Sequence, residues 1–284
     1  MPKLPGNEHL QNREGRRLYS LADINALDDA EKERIYGGLI PLRLYRLFCI
    51  DPHTFTGPDG VRKVHFIAPK GLGLLRIEIH LTESDADPLF FLDVADTHFQ
   101  QMELSFCIIS DPNSPRFNVD RDSAGRSNCF TTLGRNIPEE LKAMAAGLFP
   151  HQTRRGLKMF SEFFALFERF VDSLGIEMIL AEPLNYGNAI RYEKYGFDYI
   201  TGKRLMLDIN EGFLPGGTLF RRLDGSTPFR RLGQERTVRG RSWAIHDGIL
   251  DTPWDDVRIY KMIGEHAGIN SFPEREDEEM TITP

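Results

Sequence analysis

The sequence predicts a mixed α/β fold, and three observations support this prediction. Segments between residues 74 and 109 alternate apolar and polar side chains, which is typical of an antiparallel β-meander. From residue 157 onward the pattern becomes helix, strand, helix, strand, which is typical of βαβ units. Of the 284 residues, 40% are hydrophobic and 27% are charged, as in an ordinary globular protein.

Charge and composition exclude several classes of function. The 35 Lys and Arg residues against 42 Asp and Glu residues give a net charge of −7, so a general polyanion-binding surface is not expected. No apolar run has the length of a membrane span, and the polar N-terminus lacks the core of a signal peptide. Three scattered cysteines suit a reducing compartment. We therefore expect a cytoplasmic protein that binds no nucleic acid and spans no membrane.

The first 70 residues are predicted to be an N-terminal arm of helices and loops. Residues 21–48 suggest two helical pieces separated by Gly37-Gly38, with Asp23 and Asp28 as N-caps. A short strand follows at 64–67, between stretches rich in Gly and Pro.

Residues 71–210 are predicted to form the core. Strands are expected at 75–81, 89–94 and 102–108, followed by a long polar excursion from 110. A helix start is indicated at Asn136-Ile-Pro138. Two interpretations of this region stay open. Either residues 141–149 are a strand, or the strand at 101–109 leads into the next helix and 110–149 is an insertion.

The second half of the core alternates helices and strands. Residues 157–174 are predicted to be an amphipathic helix with a phenylalanine stripe, followed by a strand at 176–181 and a helix at 185–195. Further strands are expected at 197–200, 204–209 and 242–249. Residues 211–284 are predicted to be a loop-rich extension with an arginine group and an acidic tail.

The segment that precedes the phenylalanine helix has the character of an anion site. It runs Pro150-His-Gln-Thr-Arg-Arg-Gly-Leu-Lys158 into the helix. The first backbone N–H groups of a helix lack partners and carry partial positive charge, and this segment adds full positive charges. Gly156 would let a phosphate approach the backbone closely.

A second motif, farther along the chain, indicates which kind of anion this loop would bind. Asn185, Tyr192 seven residues later, and Glu193-Lys-Tyr-Gly-Phe197 resemble a signature of the GNAT superfamily of N-acetyltransferases. The resemblance covers about residues 75–210. It implies a mixed sheet whose splayed strands hold acyl-CoA. It also implies that Asn185 contacts the pantetheine arm and that Tyr192 protonates the leaving thiolate.

The resemblance further implies a pyrophosphate cradle made by the backbone N–H groups from Gln152 to Lys158. The cofactor-binding residues implied in this way are Gln152, Arg154, Arg155, Gly156, Leu157 and Lys158. Lys158 stands where the superfamily usually has a second small residue.

A general base is needed to take a proton from the acceptor amine. Glu103, on the polar face of its strand, is one candidate, and Glu182 is the other. The eight histidines show no metal-binding spacing, so no metal is expected, and His246-Asp247 is interpreted as a loop pair.

The sequence thus predicts an N-acyltransferase that uses acetyl-CoA or another acyl-CoA and a small-molecule or peptide amine. The alternatives are long-chain transfer from an acyl carrier protein and a non-catalytic module that binds acyl thioesters. Arginine favours fixed anion contacts. Seven arginines between 221 and 241 therefore suggest a carrier-protein partner, the CoA 3′-phosphate, or internal ion pairs. A homodimer is a further assembly to test.

Overall fold

A computed structural model describes residues 9–82, 85, 87–129, 131 and 133–273. The chain divides into two compact units. Unit 1 consists of Met1–Asn113, Gly156–Ala181 and Met262–Glu265, and unit 2 of Ser114–Arg155, Glu182–Lys261 and His266–Pro284. The predicted division into 1–70, 71–210 and 211–284 stays a prediction, and the acidic tail from Glu274 lies outside the described residues.

Unit 1 begins with the short helices α1 (Leu21–Asn25), α2 (Asp29–Gly37) and α3 (Leu42–Leu47), where two pieces were expected. Asp28 caps α2 as predicted, by accepting from the Glu31 N–H. The prediction of Asp23 as a cap is wrong, because Ser20 caps α1 and accepts from the Asp23 N–H.

The sheet of unit 1 combines an antiparallel meander with one parallel strand. Its strands lie in the order β1 (Val64–Ile67), β2 (Leu74–Ile79), β3 (Phe90–Asp96), β4 (Met102–Ile109) and β5 (Met178–Ala181). The first four pair antiparallel, and β5 pairs parallel to β4. These antiparallel and parallel pairs confirm the predicted mixed α/β fold.

The helix between β4 and β5 is the predicted phenylalanine helix, α5 (Phe160–Ser173). Its buried side chains are Phe163, Phe164, Phe167 and Val171. The ring of Phe163 lies edge-on to Phe90 of β3, with centroids 5.9 Å apart. The helix is held to the sheet by this aromatic stripe.

The excursion after β4 closes on itself. Ser110 forms an isolated antiparallel bridge with Gly156, so the chain returns to the end of β4 after residues 111–155. Within the excursion lies helix α4 (Ile137–Ala145), with Pro138 in its first turn. The strand interpretation of 141–149 is therefore wrong, and the insertion interpretation is supported.

Unit 2 contains α4 and the elements that follow β5. These are α6 (Tyr186–Glu193), β6 (Asp198–Thr201), α7 (Lys203–Phe213), α8 (Thr218–Arg221), a 3-10 turn at Gln234–Arg236, α9 (Val238–His246) and β7 (Arg258–Met262). Strands β6 and β7 pair antiparallel, and Met262 itself counts with unit 1. A cluster of Val119, Ala143, Leu148, Phe229 and Trp243 forms a core here.

Two predicted strands of unit 2 are helices. Residues 204–209 belong to α7, whose buried positions Met206, Ile209 and Phe213 follow helical spacing. Residues 242–249 largely belong to α9. The apparent alternation at 204–209 arises because Leu207, at 43% exposure, is an apolar side chain on the solvent face.

Candidate functional site

Strand β5 pairs with only the start of β4. Strand β5 pairs with β4 at Met102 and Glu103, and β5 then ends. A bulge interrupts the β3–β4 ladder at the same place, because Asp93 faces Phe106 while Val94 faces Leu104, which leaves Ser105 as the extra residue. Bulges twist a strand and often end pairing beside active sites. We call the stretch of β4 that lies beyond its pairs with β5, residues Ser105–Ile109, the β4 gap.

The far end of the β4 gap is closed by the loop before α5. The Ser110 N–H donates to Leu89 on the β3 side, so the Ile109 carbonyl of the same peptide points away from β3. That carbonyl accepts from the Leu157 N–H at 3.2 Å. A Cβ on Gly156 would lie 3.0 Å from the same oxygen, which explains the glycine.

The loop enters α5 through an exposed lysine in a left-handed conformation. Lys158 has φ of 56°, a value that favours glycine. Its backbone therefore has the conformation that glycine adopts most readily. Helix α5 then starts without a side-chain cap at Met159. An uncapped helix start beside an exposed cation is compatible with an anion ligand.

The preceding residues of the predicted cradle are bonded within unit 2. The Gln152 N–H donates to the Phe149 carbonyl at 3.2 Å, and the Arg155 N–H donates to Ser114 Oγ at 3.2 Å. The Arg154 guanidinium donates to the Ser114 carbonyl at 2.6 Å. Since these contacts, and the bond from the Leu157 N–H to Ile109, use N–H groups that the cradle was expected to offer, we limit the anion site to Gly156, Lys158 and the first turn of α5.

Asn185 and Tyr192 lie at opposite ends of α6 in unit 2. Asn185 is the N-cap, and its buried side chain accepts from the Asn188 N–H at 3.0 Å. Tyr192 is half-buried with its ring 4.9 Å from that of Phe197. Nothing in the described contacts tests the predicted roles of these two residues toward a thioester.

The end of α6 carries a buried carboxylate that the sequence did not reveal. Glu193 is 3% exposed. It accepts from Tyr199 Oη at 2.6 Å, from Ser271 Oγ at 2.6 Å and from the Ser271 N–H at 3.0 Å. Burial, followed by the Glu193 charge, raises the pKa of Tyr199. The Glu-Lys-x-Gly-Phe motif is thus anchored to residues near 271.

Position 196 of the same motif requires glycine, because His266 leaves no room for a Cβ atom. Its φ is 86°, and an added Cβ would lie 2.9 Å from His266 Cα. The Gly196 carbonyl accepts from the Ala267 N–H at 3.2 Å. The motif and the chain at 266–271 therefore form one local structure in unit 2.

The two predicted bases differ in their surroundings. Glu103 is half-buried on β4, directly before the bulge, and accepts from Ser105 Oγ at 3.2 Å. Glu182 is exposed and paired with Arg258 at 2.8 Å. A base must reach the acceptor amine without being neutralised by a cation. The geometry therefore favours Glu103, which lies next to the β4 gap.

A second polar cluster lies in unit 2. Glu140, 1% exposed, is hydrogen-bonded to His246 Nε2 at 3.1 Å and to the Arg135 guanidinium. Asp247 pairs instead with Arg135 and Arg230, each at 2.9 Å. The interpretation of His246-Asp247 as a pair is therefore wrong. Burial raises the pKa of Glu140, but the bonds from His246 and Arg135 outweigh it, so the net shift is downward.

His151 lies against this cluster. Its ring centroid is 4.7 Å from that of His246, in an edge-to-face arrangement, and its φ is 67°. Burial, together with the charge of His246, lowers the pKa of His151 to about 4. His151 is therefore neutral at physiological pH.

Comparisons of the chain with protein-family models, with curated proteins and with solved structures find no match. Within the described residues, no helix is long and apolar enough to cross a membrane. In the same part of the chain, no group of three or more His, Cys, Asp or Glu residues is arranged to hold a metal ion.

Proposed function

We propose that the chain transfers an acyl group from acyl-CoA to an amine. The observation that carries the proposal is the β4 gap, between the last β5 pair at Glu103 and the Ser110–Gly156 bridge. An extended ligand with amide groups can add to a strand edge as another strand does. The pantetheine arm is such a ligand, because it is extended and contains two amides.

The loop before α5 and the start of that helix have the features needed to bind the pyrophosphate end of acyl-CoA. The pyrophosphate of CoA is an anion, and the start of α5 offers backbone N–H groups and the positive end of the helix dipole. Lys158 adds an exposed positive charge at the same place. Donor binding in this proposal therefore uses Gly156, Lys158 and the first turn of α5.

The proposed reaction is a direct transfer. Glu103 accepts a proton from the ammonium form of the acceptor, and the free amine attacks the thioester carbonyl. The carbon–sulfur bond of the resulting tetrahedral intermediate then breaks, and the nitrogen releases its second proton to solvent. The departing thiolate takes up a proton, so an amide and free CoA are the products. Orientation of the two substrates would supply much of the rate.

Calorimetry and turnover measurements test the proposal. We expect acyl-CoA to bind in the micromolar range and an amine to be acylated. Glu103→Gln should lower turnover by about a hundredfold, in the range of a lost general base, with little change in donor affinity. Glu78→Gln, at another half-buried glutamate of the same sheet, is the matched control and should keep activity.

The same measurements distinguish acyl transfer from the alternative of a non-catalytic module that binds acyl thioesters. Acyl-CoA binding without turnover toward any amine would indicate the non-catalytic module. Absence of binding below millimolar concentrations would contradict acyl-CoA as the donor.

A further inference from the structure

Four exposed arginines in unit 2 form a surface that the proposed chemistry does not use. We call Arg155, Arg231, Arg236 and Arg239 the arginine surface. The other four arginines of the 221–241 group are bonded elsewhere in the unit, and among them Arg221 donates to the Gly216 carbonyl. Arg222 pairs with Asp251 at 2.7 Å and Arg230 with Asp247 at 2.9 Å, while Arg241 is 3% exposed between the rings of Phe213 and Phe272.

The arginine surface is gathered at the end of α4. The Arg239 guanidinium donates to the Gly147 carbonyl at 3.3 Å, and that of Arg155 donates to the Ala146 carbonyl at 2.9 Å. Gln234, between Arg231 and Arg236, lies 3.8 Å from Met144 Sδ. The chain at 231–239 and Arg155 therefore meet around one helix end.

The positive charge of this surface is largely uncompensated. Among the described residues, no carboxylate lies within 4.0 Å of Arg155, Arg231 or Arg239. Arg236 approaches Glu235 at 3.4 Å, and that carboxylate side chain is only 12% exposed. Contacts to carbonyl oxygens leave a guanidinium with its full charge. In a chain of net charge −7, such a patch attracts anionic partners that the rest of the surface repels.

An exposed leucine gives the arginine surface the character of a protein interface. Leu232 is 70% exposed, next to Arg231. Interfaces are enriched in arginine, and arginine forms bidentate contacts with carboxylates. A small phosphate ligand would need neither an exposed leucine nor cations distributed over nine residues of chain from 231 to 239.

We propose that the arginine surface docks an acidic carrier protein that bears the acyl group on a pantetheine arm. This inference rests on the proposed function, because a carrier protein and CoA present the same pantetheine thioester. Carboxylates on a helix of the carrier would pair with the arginines, and an apolar side chain of that helix would cover Leu232. The carrier-bound thioester is then the preferred donor.

The experiment compares an acyl carrier protein loaded with a long acyl chain and the matching acyl-CoA as donors. The variant Arg231→Glu with Arg239→Glu reverses two charges of the surface. The control, Arg43→Glu with Lys70→Glu, makes the same charge change at exposed residues of unit 1. Arg231→Glu alone is included, because Arg239 contacts the end of α4.

We expect the Arg231/Arg239 variant to weaken carrier binding at least about tenfold and to leave the KM for acyl-CoA unchanged. Wild-type affinity for the carrier should fall steeply as salt is added. The control should behave as wild type. Equal effects of both variants, or carrier affinity that ignores salt, would overturn the inference.

The same data separate this inference from the proposed function. Salt-dependent carrier binding that the variant abolishes, without turnover from either donor, would support docking and contradict acyl transfer. Turnover from acyl-CoA without any carrier binding would support acyl transfer and contradict docking.

Discussion

The two units differ in what fills their interiors. In unit 1, the sheet and α5 pack through apolar side chains such as Leu92, Val94 and Phe167, each at most 2% exposed. In unit 2, the ionisable side chains of Glu140, Glu193 and Arg241 are buried, and unit 1 also buries Glu31 and Lys63, which belong to neither its strands nor α5. A buried charge is costly to desolvate and is tolerated when hydrogen bonds satisfy it. These positions of unit 2 therefore depend on specific partners, whereas the sheet and α5 of unit 1 depend on the amount of apolar surface they bury.

The comparison also indicates which substitutions lower the stability of each unit most. Loss of one apolar contact leaves neighbours that can partly relax. Loss of one partner of a buried charge leaves the other partner without compensation. Substitutions at buried ion pairs should therefore affect unit 2 most.

The largest effect is expected at Glu140. Glu140→Leu would leave Arg135 and His246 without their shared carboxylate in a buried site, and we expect the free energy of unfolding to fall by about 3–5 kcal/mol. Chemical denaturation measures this loss. The double variant Glu140→Leu with Arg135→Met should recover part of it, because it removes an arginine that has lost one of its two carboxylate partners and keeps only Asp247. A double variant less stable than the single one would contradict this explanation.

A pH-dependent effect is expected at His151. The folded pKa of about 4 is below the ordinary histidine pKa of 6.5, so the unfolded chain binds the proton more strongly. Stability should therefore be complete above pH 6.5 and be lost as the pH falls through 4, by up to about 3 kcal/mol. His151→Asn removes the titrating group and tolerates the left-handed backbone. Its stability curve between pH 6.5 and 4.5 should be flatter than that of wild type, and identical slopes would contradict the assignment.

A smaller difference in stability is expected when one buried tyrosine hydroxyl is removed from each unit. Tyr199 donates to the carboxylate of Glu193, while Tyr36 in unit 1 donates to the neutral side chain of Asn25, each at 2.6 Å. Hydrogen bonds to charged groups contribute more than neutral ones. Tyr199→Phe should therefore cost about 1.5–3 kcal/mol and Tyr36→Phe about 0.5–1.5 kcal/mol in unfolding experiments. The reverse order would show that buried charge is not what distinguishes unit 2.

The sequence predicted unit 1 well, since its elements follow simple periodicities. Strand β1 agrees with its prediction at both ends, and α5 lies within the predicted 157–174. One buried face per element gives a strand its period of two and a helix its period of 3.6. Residues 242–249 of unit 2 gave no such signal. Helix α9 is buried on most sides and includes Arg241, so it shows no apolar stripe.

The buried polar networks of unit 2 could not be predicted because their members lie far apart in the sequence. Glu193 meets Ser271, and Glu140 meets His246, across long stretches of sequence. Neither pair has a spacing that a local pattern can reveal. The resemblance directed attention to Tyr192 and Asn185, but it did not indicate that Glu193 and Gly196 hold the chain near residues 266–271.

The position of the donor is the central claim, and a titration followed by backbone amide NMR tests it most directly. Acyl-CoA should shift the amide resonances of Ser105–Ile109 and of Leu157–Glu162 more than any others in unit 1. Such a result would place the donor along the β4 gap and at the start of α5. Saturable binding with the largest shifts in other segments of unit 1, or no shifts at millimolar acyl-CoA, would contradict the account.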